Sequence, residues 1–228
     1  MKLEKMIKYT GEMELLSGLA IKGADNDLSI GGADSEVIKN PITKMPYVPG
    51  SSLKGKIRSL LELKYEKTGD ERKKLKNKNE YETIEGCTPC KCGRKDCFVC
   101  TIFGAHMNPG AASAPTRIIV RDCSLAKESL ELIRNLPLDS GFLEEKSENI
   151  INRNDGTAGS PRTMERVPAG LKFEVEIILQ IFEGDSEQNM KEKVEEGLKL
   201  LENSYLGGSG SRGYGHVKFT GNWVEVIV

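Results

Sequence analysis

The sequence predicts an α+β protein built on a βαββαβ core. Two segments carry apolar residues at helical spacing, and four others alternate apolar with polar residues or contain a β-branched run. In chain order these segments are strand, helix, strand, strand, helix and strand. Two such crossover units on one antiparallel sheet form the split βαβ, or ferredoxin-like, arrangement.

The first part of the core is predicted to contain a strand, a long loop and a helix. Residues 3–16 place apolar side chains at roughly every second position, the period of a strand. Residues 19–49 contain many glycines and prolines and no sustained period, so we expect a long ordered loop. Apolar residues three and four apart predict a helix over 53–65, with Ser51 or Ser52 as its N-cap.

The second part supplies the remaining strands and helix. Residues 116–125 are β-branched at their centre, and residues 170–182 alternate apolar and charged positions, so both are predicted strands. An amphipathic helix is predicted over 185–204 and a last strand over 216–228. Residues 126–169 end in a long polar run with little apolar surface to bury, which predicts a projecting excursion.

Composition limits the function classes that need to be considered. Lys and Arg total 33 and Asp and Glu total 34, so the net charge of −1 excludes polyanion binding through bulk positive charge. With 38% hydrophobic and 29% charged residues, the chain is expected to be globular, with neither extended disorder nor a membrane span. The N-terminal residues show no apolar signal segment, so we expect a cytoplasmic protein without a membrane partner.

Five of the 6 cysteines lie close together, at Cys87, Cys90, Cys92, Cys97 and Cys100. CxxC spacing occurs twice and lets thiolates converge on one soft tetrahedral ion, whereas a reducing cytosol disfavours disulfides. We predict a closed, structural Zn²⁺ site, with an iron–sulfur cluster as the alternative and His106 as a spare donor. The spacing leaves open which four residues bind the ion. Cys123 is expected to be a buried small hydrophobe.

Basic charge is concentrated in one part of the chain. Residues 51–78 hold 10 basic and 4 acidic residues. Lys54 and Arg58 are four positions apart and therefore share one face of the predicted helix, an arrangement that suits a backbone of phosphates. The alternative is an ordinary solvated helix face.

A glycine-rich segment, GGSGSRGYG, spans residues 207–215 between the second predicted helix and the last strand. Backbone N–H groups without neighbouring side chains can contact phosphates, and Arg212 would add a bidentate donor. The alternative is a turn of left-handed residues that only reverses the chain. The segment matches neither the dinucleotide fingerprint nor a P-loop.

One acidic residue in the first loop is a candidate for chemistry. Asp34 follows two glycines and lies near other acids, so its carboxylate suits Mg²⁺ binding or proton acceptance. The alternative is a turn residue or a cap. With only 2 histidines in the chain, RNA cleavage by a histidine pair has little basis.

Four motifs together resemble one known family. They are PYVPGSSLKGKIR at 46–58, the end of the cysteine-rich segment at 99–104, RTMERVPAG at 162–170, and LLENSYLGGSGSRGYGHV at 200–217. In combination they resemble the RAMP superfamily of CRISPR proteins, and within it the third subunit of type III-A (Csm) interference complexes, a repeating backbone protein. The resemblance covers most of the chain.

The resemblance implies a modified ferredoxin-like, RRM-like core with a zinc-bearing insertion and a projecting thumb. It implies guide-RNA contacts at Lys54, Arg58, Gly207, Gly208, Gly210, Arg212, Gly213 and Gly215. Arg162 and Arg166 correspond to the thumb that wedges between guide and target, and Asp34 corresponds to an aspartate required for cutting. Relatives often have a histidine in the first loop where this chain has Ala20, and Lys22 is a possible substitute contact.

The implied activity is metal-dependent cleavage of target RNA at regular intervals, with Mg²⁺ or a similar ion. The implied partners are CRISPR guide RNA, complementary target RNA, other copies of the chain in a filament and other Csm subunits. A non-catalytic RNA-binding scaffold and a zinc-stapled RNA-binding protein unrelated to CRISPR are the alternatives. The predicted division is a core of 1–65, 116–125 and 170–228, a cysteine-rich zinc insertion of 66–115 and a thumb-like excursion of 126–169.

Overall fold

The computed structural model of the chain describes residues 2–23, 36–67, 89–108, 110–136 and 141–226. Within these ranges the strands are β1 Leu3–Leu15, β2 Ile118–Val120, β3 Glu144–Ile151, β4 Ala158–Arg166, β5 Lys172–Phe182 and β6 Val217–Val226. The helices are α1 Gly50–Lys64, α2 Phe98–Phe103, α3 Lys127–Arg134 and α4 Glu187–Glu202, with a 3-10 turn at Gly210–Arg212.

Four strands form one antiparallel sheet in the order β2-β5-β1-β6. The two central strands, β1 and β5, are the long strands that the alternating sequence pattern predicted. Tyr9 of β1 lies between Ile177 of β5 and Trp223 of β6, which fixes the register across three strands. Without the added elements, the chain order is β1, α1, β2, β5, α4, β6. The predicted ferredoxin-like core is therefore confirmed.

The core lies between the sheet and helices α1 and α4. Every second residue of β5 is buried, as expected for a strand with one face against helices. Leu53, Ile57 and Leu61 of α1 and Val194 and Leu201 of α4 are fully buried in the same cluster. Burial of each such side chain contributes about 1.5–3 kcal/mol relative to exposure. This packing holds the exposed side of α1 in a fixed orientation.

The beginning of α1 corrects one sequence prediction. The helix starts at Gly50 after Pro49, and neither Ser51 nor Ser52 caps it. Instead, Asp122 Oδ1 accepts a hydrogen bond from the Gly50 N–H at 2.7 Å. An Asp122 carboxylate from the segment after β2 therefore caps the helix, a partner that local sequence cannot reveal.

The 126–169 region contains regular structure that the sequence did not predict. It includes α3 and the two-stranded antiparallel sheet β3-β4. Most residues of β3 and β4 are exposed, so their sequences carry no hydrophobic alternation. Because the hairpin buries little apolar surface, its sequence looked like an irregular excursion.

Within the described ranges, no helix combines the length and the apolar composition needed to cross a membrane. The long-loop prediction for 19–49 is tested only in part. Residues 19–23 and 36–49 form isolated bridges and turns without a helix or a named strand. Asp34 and Cys87 lie outside the described residues.

Candidate metal centre and nucleic-acid interface

Four of the predicted thiol ligands converge at the edge of the core. The ligand atoms of Cys90, Cys92, Cys97 and Cys100 all lie within 4.8 Å of one another. The sulfur–sulfur distances are 3.9 Å for Cys90–Cys97, 3.7 Å for Cys92–Cys100 and 3.6 Å for Cys90–Cys100. A tetrahedral Zn²⁺ with Zn–S bonds of about 2.3 Å requires sulfurs about 3.8 Å apart. The donor set therefore fits a closed zinc site.

Helix α2 arranges half of this cluster. Cys97 is the residue before the helix and Cys100 lies in its first turn, so a three-residue spacing brings both sulfurs to one face. Cys90, Cys97 and Cys100 are buried and Cys92 is exposed. Among the described residues this is the one group of metal-ligating type that converges, and His106 contributes only a backbone N–H, to the Cys90 carbonyl at 3.3 Å.

The cysteine thiols have unequal pKa values because burial and hydrogen bonding differ from one thiol to the next. Burial raises the pKa of Cys92, but hydrogen bonds from the Arg94 backbone and the neighbouring thiols outweigh this effect and bring it to about 7. Burial raises the pKa of both Cys97 and Cys100. Away from the cluster, burial raises the pKa of Cys123 to about 12, consistent with its predicted role as a buried small hydrophobe.

The two basic residues predicted on α1 have different environments. Lys54 is half-buried, and burial followed by the charge of Arg58 lowers its pKa. Arg58 is largely covered, with 14% of its side chain exposed, and pairs with Glu62 at 2.7 Å. Its Nη2 also donates to the Cys90 carbonyl at 2.9 Å. The structure therefore turns Arg58 toward the cysteine cluster.

The glycine-rich segment packs against the start of the first loop. The Gly208 N–H donates to the Ala20 carbonyl at 2.9 Å. A Cβ at Gly207 would lie 2.4 Å from the same carbonyl oxygen, at a φ of +75°. Glycine is needed there because two backbones of this chain touch.

The remaining glycines serve different purposes. A Cβ at Gly210 would overlap the Tyr205 ring, and a Cβ at Gly215 would overlap the Leu206 carbonyl. Gly213 has a φ of +85° with nothing within 4 Å of a Cβ, so backbone conformation alone requires glycine there. Left-handed residues that turn the chain, the alternative considered above, thus explain part of this composition.

A cluster of charged residues joins the β3-β4 hairpin to the glycine-rich segment. Glu148 of β3 accepts hydrogen bonds from the Arg212 guanidinium at 2.5 Å and the Tyr214 hydroxyl at 2.8 Å. The ring of buried Tyr214 also lies beneath the charged ends of Lys146 and Arg166, 4.7 Å and 4.8 Å from its centroid. These contacts place the base of the hairpin beside the glycines.

The two hairpin arginines that the resemblance implies differ in exposure. Arg166 forms a bidentate pair with Glu144, which lowers the pKa of that carboxyl, and only 16% of the Arg166 side chain is exposed. Arg162 is exposed further along the hairpin. Arg166 lies over the Tyr214 ring, and Arg212 shares Glu148 with the Tyr214 hydroxyl. Arg162 lies opposite Glu148 in the register of β3 and β4.

Glu165 is a residue at this interface that sequence reasoning missed. Its Oε2 accepts from the Val37 N–H at 3.0 Å and its Oε1 from Lys39 Nζ at 2.9 Å. The Ile38 N–H donates to the Ile21 carbonyl at 2.8 Å. The described end of the first loop is therefore held by β4. A lone glutamate among polar residues gives no sequence signal for such a contact.

The elements described above contain the motifs that resemble a known family, and a comparison with family profiles identifies that family. The sequence profile of the RAMP superfamily matches residues 12–218. The chain belongs to the RAMP superfamily.

Curated relatives match this RAMP chain over nearly its whole length. A protein of Methanothermobacter thermautotrophicus is 40% identical over 230 residues, which cover 96% of this chain and 85% of the relative. A protein of Methanocaldococcus jannaschii is 42% identical over 219 residues, covering 95% of this chain and 79% of the relative. A protein of Streptococcus thermophilus is 36% identical, covering 93% and 86%. Each bears the name CRISPR system Cms endoribonuclease Csm3.

Solved structures share the RAMP fold at lower identity. The Methanopyrus kandleri Csm3 crystal structure superposes with a TM-score of 0.62 at 22% identity, covering 98% of this chain and 78% of that one. A chain in the cryo-EM structure of the type III-B Cmr-beta complex bound to cognate target RNA gives 0.62 at 13% identity. That match covers 97% of this chain and 61% of the other.

Proposed function

We propose that this RAMP protein is a repeating guide-RNA-binding backbone subunit of a type III-A CRISPR effector, and that it cleaves complementary target RNA at regular intervals. The observation that carries the proposal is identity of 40% and 42%, over nearly the full chain, to two relatives named as Csm3 endoribonucleases. Its partners would be guide RNA, target RNA, further copies of the chain and other Csm subunits, in the cytoplasm.

The proposed RNA surface combines α1, the glycine-rich segment and the hairpin. Its positive donors are Lys54, Arg162, Arg166 and Arg212, with Arg58 behind them, and its backbone donors come from the segment that contains Gly207, Gly208, Gly210, Gly213 and Gly215. A net charge of −1 is compatible with this role because each subunit of a filament neutralises only a few phosphates. Base pairing with the guide, rather than side chains, would select the target.

The proposed division of the chain assigns one task to each part. The core, 1–65 with 116–125 and 170–228, would bind guide RNA. The insertion, 66–115, would hold structural Zn²⁺ through Cys90, Cys92, Cys97 and Cys100, whose sulfur spacing matches a closed tetrahedral site. The thumb, 126–169, would separate successive segments of the guide–target duplex.

The proposed chemistry is transesterification within the target strand. The 2′-oxygen attacks the adjacent phosphorus and gives up its proton, the bond from phosphorus to the 5′-oxygen breaks, and the departing oxygen takes a proton. The products are a 2′,3′-cyclic phosphate and a 5′-hydroxyl. Asp34, with Mg²⁺ or a similar ion from solution, would accept the proton or stabilise the developing charge.

The test is cleavage of a labelled target RNA by the complex reconstituted with complementary guide. We expect evenly spaced products that Asp34→Ala or EDTA abolishes. Asp27→Ala is the matched control, because it removes an acid from the same loop and should leave cleavage intact. Full cleavage by the Asp34→Ala complex would instead assign this chain the role of a scaffold.

A further inference from the structure

The backbone N–H and carbonyl of Cys90 are both bound by charged residues of α1. The Cys90 N–H donates to Glu62 Oε1 at 2.9 Å, and the Cys90 carbonyl accepts from Arg58 Nη2 at 2.9 Å. Glu62 Oε1 also accepts from Arg58 Nε at 2.7 Å. The three hydrogen bonds close a ring that contains the Cys90 backbone from its N–H to its carbonyl, the Glu62 carboxylate and the Arg58 guanidinium.

This ring is buried. The side chains of Glu62 and Arg58 are only 6% and 14% exposed. A buried carboxylate needs partners for its charge, and here they are the guanidinium and the peptide N–H. Removal of either side chain would leave the other charge without its main partner. The ring is thus a built feature rather than a chance surface contact.

The ring also contacts the cysteine cluster directly. The Cys90 carbonyl that accepts from Arg58 also accepts from the Cys100 thiol at 3.6 Å and from the His106 N–H at 3.3 Å. Residues around a metal ligand set its orientation, and their loss typically weakens metal affinity about 10–100-fold. Glu62 and Arg58 occupy that position relative to Cys90.

We propose that Glu62 and Arg58 are positioning residues of the metal site, which dock the cysteine-bearing segment on α1. Arg58 then affects RNA binding through the metal site, while Lys54, one turn earlier on the helix, affects it directly. The inference rests on the proposed zinc site and changes the role that the family resemblance implied for Arg58.

The first test measures zinc affinity of the full-length chain by competition with a chromophoric chelator. We expect Glu62→Ala to weaken zinc binding about 10–100-fold. Glu62→Gln keeps an oxygen for the Cys90 N–H but loses the charge facing Arg58. Its zinc affinity should therefore lie between that of the native chain and that of Glu62→Ala. Glu131→Gln, an exposed acid on α3, is the control for loss of charge and should bind zinc as the native chain does.

The outcomes separate this inference from the zinc proposal. A native chain that binds no zinc would overturn the zinc site itself. A native chain that binds zinc, with Glu62→Ala and Glu62→Gln binding it equally well, would overturn the positioning role alone. Should Glu62→Ala fail to fold, Glu62→Gln decides the question. We expect the Cys90 amide of the zinc-loaded Glu62→Gln protein to exchange faster than that of the zinc-loaded native protein.

The second test distinguishes the role of Arg58 from that of Lys54. It compares how added zinc changes the RNA affinity of a variant at each position. We expect Arg58→Ala to weaken zinc and guide-RNA binding together, with excess zinc restoring much of the RNA affinity. Lys54→Ala should weaken RNA binding, retain native zinc affinity and gain nothing from added zinc. If Arg58→Ala loses RNA affinity while its zinc affinity is unchanged, Arg58 contacts RNA directly and the inference is wrong.

Discussion

Three arginines predicted to face RNA are already paired with carboxylates of this chain. Arg58 contacts Glu62, Arg166 contacts Glu144 and Arg212 contacts Glu148. The exposure of each arginine decides what the pairing means. Arg212 is 61% exposed, so water screens its pair and a phosphate can replace the carboxylate at little cost. Arg58 is 14% exposed, which makes exchange of its partner costly.

Two glycines of the glycine-rich segment show two different reasons for glycine: a positive φ, and the lack of space for a Cβ. Gly207 and Gly213 have φ of +75° and +85°, a region that costs a residue with a Cβ about 1–2 kcal/mol. Only Gly207 also approaches a backbone oxygen, that of Ala20. We therefore expect Gly207→Ala to lower the free energy of unfolding in urea by clearly more than Gly213→Ala. Equal losses would show that the approach to Ala20 relaxes without cost.

At the scale of elements, the hairpin is joined to the glycine-rich segment because Glu148 of β3 contacts Arg212 and Tyr214. Its hydrogen bond from Tyr214, then that from Arg212, lowers the pKa of Glu148. Glu165 connects the same hairpin to the first loop through Val37 and Lys39. The hairpin therefore contacts both the glycine-rich segment and the described end of the first loop.

Removal of the Glu148 charge should free Arg212 for phosphate. We expect Glu148→Gln to bind non-complementary RNA more tightly and to steepen the plot of log affinity against log salt by about one unit. Titration of fluorescent RNA at several salt concentrations measures both. Glu145→Gln, an exposed acid on the same strand, removes the same charge without releasing Arg212 and should leave the slope unchanged. Identical slopes for both variants would show that Glu148 does not keep Arg212 from binding phosphate.

At the scale of the whole molecule, the cysteine-bearing segment is part of the main core. Val99, Ile102 and Phe103 of α2 are buried in the same cluster as the residues of β5 and α1. The ring formed by Arg58, Glu62 and the Cys90 backbone adds a polar connection to that apolar one. Loss of the metal is therefore expected to affect the whole domain.

Metal removal should lower the melting temperature of the protein in one cooperative transition. Structural zinc contributes about 10–16 kcal/mol of binding free energy to small zinc domains, and part of that would stabilise this fold if the cysteine cluster binds zinc. Calorimetry with and without a strong chelator measures the shift, which Zn²⁺ should reverse. Mg²⁺ should not reverse it, because thiolates bind that ion poorly. A separate early transition would show that the cysteine-bearing segment unfolds by itself.

The sequence by itself determined the core elements and the five cysteines that include the four converging thiols. The patterns that predicted them are local and can be read without knowledge of distant contacts. They are alternation in β1 and β5, helical spacing in α1 and α4, and repeated CxxC spacing. The hairpin β3-β4 escaped prediction because most of its residues are exposed and its sequence lacks hydrophobic alternation. The helix cap at Asp122 escaped because that carboxylate lies 72 positions from Gly50.

Only the tertiary structure decided what the site residues contact. Arg58 reaches Cys90 across 32 positions and Arg212 reaches Glu148 across 64, and no periodicity or spacing encodes such pairs. The sequence identified these arginines as cationic groups in suggestive motifs, while the fold determined which of them is buried and which can exchange partners. The reason is physical: burial and charge pairing depend on distant segments that meet only when the chain is folded.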